Sequence, residues 1–138
     1  MSNFSDIAAG LVTTLEANIT NLKGFDYPVD SVNSFPAAVV LPDNVDLLTS
    51  FNNSFQANFR IIFLVTSADD ASGFRRLYDY IDPTESNKGF RAAIDADNTL
   101  DGKATDSAVV RIENIGRREL AAGFYFGFDA IVEVLKEV

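Results

Sequence analysis

The sequence contains neither cysteine nor histidine, and these two absences exclude several kinds of chemistry. Without cysteine, neither disulfide bonds nor thiolate metal sites can stabilise the fold. Without histidine, the chain lacks the commonest general base, so Ser-His-Asp and Cys-His catalysis are impossible within it. Tryptophan, the usual platform of a carbohydrate site, is absent too. We therefore predict no catalytic residues, no bound cofactor and no metal site.

Basic residues are scarce, with 11 Lys and Arg against 20 Asp and Glu, and the net charge is −9. Such a charge repels nucleic acid phosphates and anionic lipid on average, which is not typical of a DNA-binding module. No apolar run reaches the length of a membrane span, and the N-terminus lacks the basic start of a signal peptide. We expect a soluble protein made in the cytoplasm, with residues 1–138 forming one domain.

Residues 4–22 have the periodicity of an amphipathic helix that ends before Gly24. The apolar side chains recur every three or four residues, whereas Thr14 and the asparagines lie elsewhere on the helix. A helix with this composition depends on packing against the rest of the protein for its stability. The face that we expect to be buried contains Ala8, Leu11, Val12, Leu15, Ile19 and Leu22.

Residues 71–100 read as two short helices joined by a corner at Asp82-Pro83-Thr84. A proline ends the first helix because the residue before a proline is pushed out of the helical region. Ser86 is the expected N-cap of the second helix, and Gly102 is its expected end. The stripes that we expect on one face of each helix are Phe74, Leu77, Tyr78 and Ile81 in the first helix, and Phe90, Ala93, Ile94 and Asp97 in the second.

Four segments have the pattern of β-strands, namely residues 37–41, 57–66, 107–115 and 120–135. The first is bounded by Pro36 and Pro42, which suggests that its ends do not continue the sheet. In the third, we assign Ala108, Val110 and Ile112 to the inward face, with a turn at residues 114–118 around Gly116. In the fourth, Gly123 and Gly127 mark bulges or places where another backbone comes close.

Residues 43–56 combine apolar side chains with a turn-like Asn52-Asn53-Ser54 sequence. We interpret this region as an extended β-hairpin arm or a long loop. Exposed apolar side chains on an arm favour a partner that covers them, and packing on the same subunit is the alternative. Together the elements predict an α+β fold, with an antiparallel or mixed sheet and helices mainly on one face.

The clusters of charged residues give only weak indications of a binding site. Residues 95–102 share some spacing with a calcium loop but lack its central glycine and its final glutamate, so capping of a helix end is favoured. The basic doublets at residues 75–76 and 117–118 have two interpretations. They pair with an acidic partner across a subunit interface, or they are simply exposed to solvent.

Most of the chain resembles the tail terminator proteins of long-tailed bacteriophages. The pieces that carry the resemblance are LYDYIDPT at residues 77–84, SNKGFRAA at 86–93, DNTL at 97–100, and GFYFGFDA at 123–130 leading into VEV at 132–134. The N-terminal helix and the strand that follows Pro36 are similar as well.

The resemblance implies a virion protein of the tail or neck, in which small α/β subunits form a hexameric ring on the end of the tail tube. Its partners would be other copies of the chain, the tail tube protein and the head-side connector, and DNA would pass through the channel without specific binding. The expected interface residues are Leu47, Leu48, Phe51, Phe55, Arg75, Arg117 and Arg118. The expected lumen-facing acidic residues are Asp43, Asp46, Asp69 and Asp70.

Three other functions stay open at this point. The first is another phage neck subunit, such as a head-completion or connector protein, because it also needs a ring and a docking face. The second is a metal-dependent enzyme that uses only carboxylates and a concave acidic pocket. The third is a small binding module that never oligomerises.

Overall fold

The chain combines three helices with five strands in a computed structural model that describes residues 3–47, 54–67, 71–120 and 123–137. The predicted α+β fold is confirmed. The elements in chain order are α1 (Asn3–Asn18), β1 (Lys23–Phe25), β2 (Ala37–Leu47), β3 (Phe55–Ser67), α2 (Ala71–Ile81), α3 (Phe90–Asp95), β4 (Asp106–Leu120) and β5 (Gly123–Lys136).

The strands form one open mixed sheet in the order β1-β2-β3-β5-β4. β1 runs parallel to β2, and the other neighbours are antiparallel. β4 lies at one edge and pairs only with β5 in the described part of the chain. At the other edge, β1 covers β2 only along residues 37–39, which leaves the rest of β2 open on that side.

Helix α1 packs on the sheet through Ile7, Leu11 and Leu15, all fully buried. The helix ends at Asn18, earlier than predicted, and Gly24 lies in β1 instead of capping the helix. The physical reason is that Asn21 adopts a left-handed conformation with φ of 62°, which asparagine tolerates, so the chain can turn into β1. Thr14, which we placed away from the core, is buried, so the inner face of α1 is wider than predicted.

Helix α2 is rotated relative to the predicted stripe. Leu77 is buried as expected, but Phe74 and Tyr78 are exposed, so that part of the prediction is wrong. Gly73 faces Thr66 so closely that a larger side chain would collide with it, and Tyr80 packs on Phe63 with ring centroids 4.9 Å apart. The helix therefore approaches the sheet through its smallest residue.

Helix α3 begins later than the sequence suggests. Its N-cap is Gly89, because the Glu85 side chain accepts hydrogen bonds from the backbone N–H groups of Asn87 and Lys88 and holds that segment in a loop. The predicted cap at Ser86 and the predicted end at Gly102 are wrong, since the helix stops at Asp95. The predicted buried residues Phe90, Ala93 and Ile94 are confirmed.

Strand β2 continues through Pro42 to Leu47, so the predicted end of the strand at Pro42 is wrong. Proline is tolerated there because the outer side of β2 is open beyond Val39, and the pairing with β3 becomes irregular between Pro42 and Asn44. The strands β2 and β3 stay paired as far as Leu47 and Phe55. The hairpin alternative for this region is therefore confirmed over its described residues, and residues 48–53 lie outside them.

Strand β4 runs straight through the segment predicted to be a turn. Its pairing with β5 is interrupted by bulges between Val109 and Arg111 and between Glu113 and Gly116. Each bulge inserts extra residues, so the alternation of side chains changes phase. Val109 consequently packs on the core together with Ile112, whereas Val110 and Ala108 are exposed, contrary to their inward assignment.

Gly127 of β5 confirms the predicted close approach of two backbones. A Cβ atom at this position would overlap the carbonyl oxygen of Phe63 on β3. Gly127 is paired with Leu64 on one side and Gly116 on the other, and both neighbouring strands have a register shift beside it. The two strands can come this close only because the residue has no side chain. At Gly123, in contrast, the atoms nearest to an added Cβ belong to the Tyr125 side chain, so the predicted approach of another backbone is not found there.

Candidate interaction surfaces

The hairpin of β2 and β3 carries exposed apolar side chains near its tip. We call residues 42–47 and 55–59 the arm. Leu47 is 74% exposed and Val45 is 41% exposed. Phe55, in contrast, packs within its own subunit against Phe4 of α1, with ring centroids 5.8 Å apart. Of the apolar residues expected at an interface, Leu47 is therefore available on the surface, and Leu48 and Phe51 lie outside the described residues.

The end of the sheet that carries the arm is acidic. Asp46 is exposed on the arm, and Asp43 lies 3.6 Å from the guanidinium of Arg60. Asp106 and Glu133 stand at the same end of the sheet on strands β4 and β5, in register with the arm. Asp69 and Asp70, also expected to face a lumen, lie outside the described residues. The arm thus combines exposed apolar groups with negative charge.

The opposite end of the sheet carries exposed aromatic rings and an arginine. We call Phe74, Tyr78, Arg117, Phe124 and Phe126 the aromatic patch. The Phe74 ring lies 5.5 Å from that of Phe126 and 6.0 Å from that of Tyr78, measured between centroids. The guanidinium carbon of Arg117 lies 4.1 Å from the centre of the Phe124 ring. Tyr78 is 60% exposed and Phe124 is 47% exposed, so much of this surface faces solvent.

Arg75 and Arg117, one residue from each basic doublet, lie at this same end of the molecule. Arg117 is the β4 residue directly opposite Phe126 on β5, and Phe126 contacts Phe74 of α2. Arg75 follows Phe74 and is exposed. Arg118, the other expected interface residue, faces the opposite side of the sheet and pairs within its own chain. Alternation along β4 therefore separates the two arginines of the second doublet.

The face of the sheet away from the helices contains a network of charges around Asp129. This aspartate is only 2% exposed. Its carboxylate accepts hydrogen bonds from Arg60 at 3.0 Å, from Asn114 at 2.9 Å, and from Arg118 at 3.0 and 2.9 Å to its two oxygens. A buried carboxylate requires such partners because the protein interior solvates charge poorly. We call these four residues the Asp129 network.

Arg60 links the Asp129 network to the arm. It also donates to Glu113 at 3.4 Å and lies beside Asp43. Burial opposes the charge on Arg60, but hydrogen bonds to Asp129 and Glu113 outweigh that effect and raise the pKa of the guanidinium above its usual value. The positive charge is therefore held firmly at the base of the arm, and Asp43 is directed toward it.

The remaining carboxylate clusters cap turns of the chain. Asp97 accepts hydrogen bonds from the Thr99 hydroxyl at 2.9 Å and from the Asp101 backbone N–H at 3.0 Å. The Asp82 carboxylate accepts hydrogen bonds from both the hydroxyl and the backbone N–H of Thr84, and these bonds lower its pKa. Across residues 3–47, 54–67, 71–120 and 123–137, no three carboxylates are grouped so that they could hold a metal ion.

A groove also lies beside the free edge of β4. Its cavity of about 230 Å³ is bounded by Ile81, Pro83 and Arg91 on the helix side and by residues 109–112 of β4. Arg91 is paired with Asp95 at 3.6 Å, and Arg111 with Glu113 at 3.5 Å. The charged groups at its rim therefore already have partners within the chain.

The aromatic patch was missed from the sequence because two helical stripes compete in α2. The stripe through Phe74 and Tyr78 is the more hydrophobic, but the stripe through Gly73, Leu77 and Tyr80 fits the helical repeat equally well. A glycine on one face of a helix is a signal for close packing against a sheet. That signal favours the second stripe and would have left the two aromatic residues on the surface.

Comparison with known proteins adds no family to this picture. No protein-family model matches the chain, and no curated protein matches its sequence. Within the described ranges, none of the helices is long and apolar enough to cross a membrane. The function is therefore inferred from the surfaces described above.

Proposed function

We propose that the chain is a virion structural protein, a tail terminator whose subunits form a ring that caps the tail tube and joins it to the head-side connector. The observation that carries the proposal is the arm. It presents Leu47 and Val45 to solvent at the end of a paired hairpin, and exposed apolar groups in such a position favour a protein partner. The sequence resemblance indicates the kind of assembly, which is a ring on the end of the tail tube.

The placement of the surfaces supports a ring. The arm and the aromatic patch lie at opposite ends of the sheet and differ in chemistry. Contacts between unlike surfaces of identical subunits are heterologous, and they generate a closed ring when the rotation between neighbours is suitable. The open edges of β2 and β4 offer further backbone groups to neighbouring molecules. The resemblance implies that the ring contains six subunits.

The charge distribution fits the passage of DNA. A net charge of −9 on each subunit is multiplied around a ring, and a negative wall repels phosphates instead of binding them. Asp46 is exposed and is our candidate for a lumen-facing residue, whereas Asp43 is held by Arg60. In this proposal the protein needs no cofactor and catalyses no reaction.

The proposal is tested by measuring the absolute mass of the purified protein by light scattering over a concentration series, followed by electron microscopy. We expect a hexamer of the 15.1 kDa chain, visible as a ring with a central channel. When the tail tube protein of the same virus is added, we expect shorter tubes with a ring at one end. Rings that bind the connector but leave tube growth unchanged would support the alternative of another neck subunit. A monomer that leaves tube growth unchanged would contradict both.

A further inference from the structure

We propose that the Asp101-Gly102 bond is a site of spontaneous isoaspartate formation, a modification that reroutes the backbone through the aspartate side chain. The inference does not depend on the proposed function. The two residues lie in the turn between α3 and β4, and both are exposed. Glycine favours this reaction when it follows aspartate, because it has no Cβ to hinder attack by its backbone nitrogen. The sequence contains no other Asp-Gly or Asn-Gly pair.

The reaction needs no molecule other than water. The Gly102 nitrogen attacks the Cγ atom of the protonated Asp101 carboxyl group. A C–N bond forms, and one water molecule leaves with the carboxyl hydroxyl and the amide proton, so that the product is a five-membered succinimide ring. Water then opens the ring, and attack at Cγ restores aspartate whereas attack at the backbone carbonyl gives isoaspartate. No group is oxidised or reduced, and the mass of the protein is unchanged.

The attacking nitrogen is not engaged elsewhere. Among the described residues, the neighbouring N–H groups of Leu100, Asp101 and Lys103 all donate hydrogen bonds, but that of Gly102 donates none. The space around Gly102 is open as well, because a Cβ atom added there would meet no other atom within 4 Å. Neither a hydrogen bond nor a neighbouring group therefore protects this nitrogen.

The Asp101 carboxylate is also without a partner in the described part of the chain, in contrast to the two aspartates that precede it. Asp97 accepts hydrogen bonds from the Thr99 hydroxyl at 2.9 Å and from the Asp101 backbone N–H at 3.0 Å. Asp95 lies 3.6 Å from the guanidinium of Arg91. Of the three aspartates in residues 95–101, Asp101 thus has the side chain that is freest to rotate toward the next nitrogen.

The modification lengthens the backbone of a turn that is closed by short hydrogen bonds. The Ala104 N–H donates to the Thr99 carbonyl at 2.9 Å, and the Lys103 N–H donates to the Leu100 carbonyl at 3.2 Å. Both bonds span residue 101, so an extra methylene group in the chain displaces their ends. Leu100 is fully buried. We therefore expect the modified protein to unfold at a lower temperature than the fresh protein.

The test is prolonged warm incubation of the folded full-length chain, followed by digestion with trypsin at successive times. Cleavage after Arg91 and Lys103 releases residues 92–103 as one peptide. Electron-transfer fragmentation then distinguishes isoaspartate from aspartate at each position. We expect isoaspartate to accumulate with time at residue 101. Asp95 and Asp97 are internal controls in the same peptide, and we expect no accumulation there.

Two substitutions at residue 101 test the mechanism while leaving Gly102 in place. Asp101→Glu keeps the charge but would have to close a six-membered ring, so we expect the isomerisation signal to be lost. Asp101→Asn closes the same five-membered ring with loss of ammonia, so we expect both aspartate and isoaspartate to appear at this position. Both variants should fold, because the side chain is exposed. Thermal unfolding of the fresh proteins checks this.

Incubation of the same protein in denaturant shows whether the folded turn permits the reaction. Isoaspartate at residue 101 in both the folded and the denatured chain would support the proposal. Its formation only in the denatured chain would mean that the turn keeps the two groups apart, and this would overturn the proposal. Equal amounts at Asp95 or Asp97, or no isoaspartate under either condition, would overturn it as well.

Discussion

The two faces of the sheet are buried by different means. On the helix side, α1, α2 and α3 cover a continuous apolar core in which the rings of Phe63, Phe90 and Phe128 contact one another. On the other side, the loop after β1 covers a small apolar cluster, and the Asp129 network occupies the neighbouring surface. One face is stabilised by packing and the other largely by neutralisation of charge. We therefore expect the stability of the protein to be sensitive to changes of side-chain volume on the helix side and to changes of charge on the other side.

The difference arises from alternation along single strands. In β3, Phe59 and Ile61 face the helices, and Arg60 between them faces the charged side. In β5, Phe128 is fully buried in the core while the adjacent Asp129 is buried among hydrogen-bond donors. Neighbouring residues in a strand point to opposite faces, so a single strand can serve both kinds of stabilisation. Substitutions on each face test this contrast.

The largest effect is expected for Phe63→Ala on the packed face. Phe63 is fully buried and stacks on Phe128 with ring centroids 5.0 Å apart, so its removal leaves a cavity among rings that cannot collapse into it. We expect a loss of about 3–5 kcal/mol in the free energy of unfolding, measured by chemical denaturation. The control is Phe124→Ala, an exposed ring, for which we expect less than about 1 kcal/mol. Equal losses would contradict the contrast between core and surface rings.

A smaller loss is expected for Asp129→Asn on the charged face. The change keeps the shape of the side chain but removes the negative charge that Arg60 and Arg118 share. We expect about 3 kcal/mol of destabilisation, since the two half-buried guanidinium groups lose the buried carboxylate that neutralises them. Asp43→Asn tests the same Arg60 from an exposed position and should cost less than about 1 kcal/mol. If both variants unfold at the same denaturant concentration, the burial of Asp129 does not explain its contribution to stability.

Asn114 tests how the bulge in β4 supports the charged face. Its φ of 54° is unfavourable for most side chains, and its amide donates to Asp129 at 2.9 Å. Asn114→Gly loses only the hydrogen bond, and we expect a loss of about 1 kcal/mol. Asn114→Ala loses the bond and also has to adopt a left-handed backbone, which adds about 1 kcal/mol. Denaturation of both variants gives the two contributions separately, and an alanine variant as stable as the glycine variant would argue against backbone strain.

The smallest effect is a pH dependence from Tyr80 on the packed face. Its burial beside Phe63 raises the pKa of the phenol above the ordinary value of 10.0, more than the charge of Arg76 lowers it. Because the folded-state pKa is the higher one, the contribution to stability is complete below pH 10.0 and is lost as the pH rises through the folded value. Absorbance of the phenolate in wild type and Tyr80→Phe identifies this titration, and an unshifted tyrosine would contradict the effect of burial.

The contrast between the two faces also bears on assembly. On the arm, α1 reaches β3 through the contact of Phe4 with Phe55, but Val45 and Leu47 on the neighbouring β2 are exposed although they lie on the same face as Phe55. At the other end, α2 turns Phe74 and Tyr78 outward. Both candidate interaction surfaces are thus places where the packed face is left incomplete. The proposed neighbour would complete it in each case.

Local sequence patterns predicted the α+β class, most of the apolar face of α1, and the alternation of β3 and β5. They also predicted, each as one of two alternatives, the hairpin arm and the close approach at Gly127. These features follow from local periodicity and from the conformational preferences of single residues, which act within a few positions along the chain. The sequence also placed Leu47 on an arm and singled out Arg117, but it did not separate Arg117 from Arg118 or find the aromatic patch.

Tertiary contacts set the rotation of α2, the start of α3, the path of β4 and the partners of Asp129. Two stripes of α2 satisfy the same helical repeat, and the contact of Gly73 with Thr66 selects between them. The bulges in β4 change which residues face the core, and they arise from pairing with β5, which no local pattern encodes. Arg60, Asn114 and Asp129 are far apart in the chain, so their network exists only because the sheet brings three strands together.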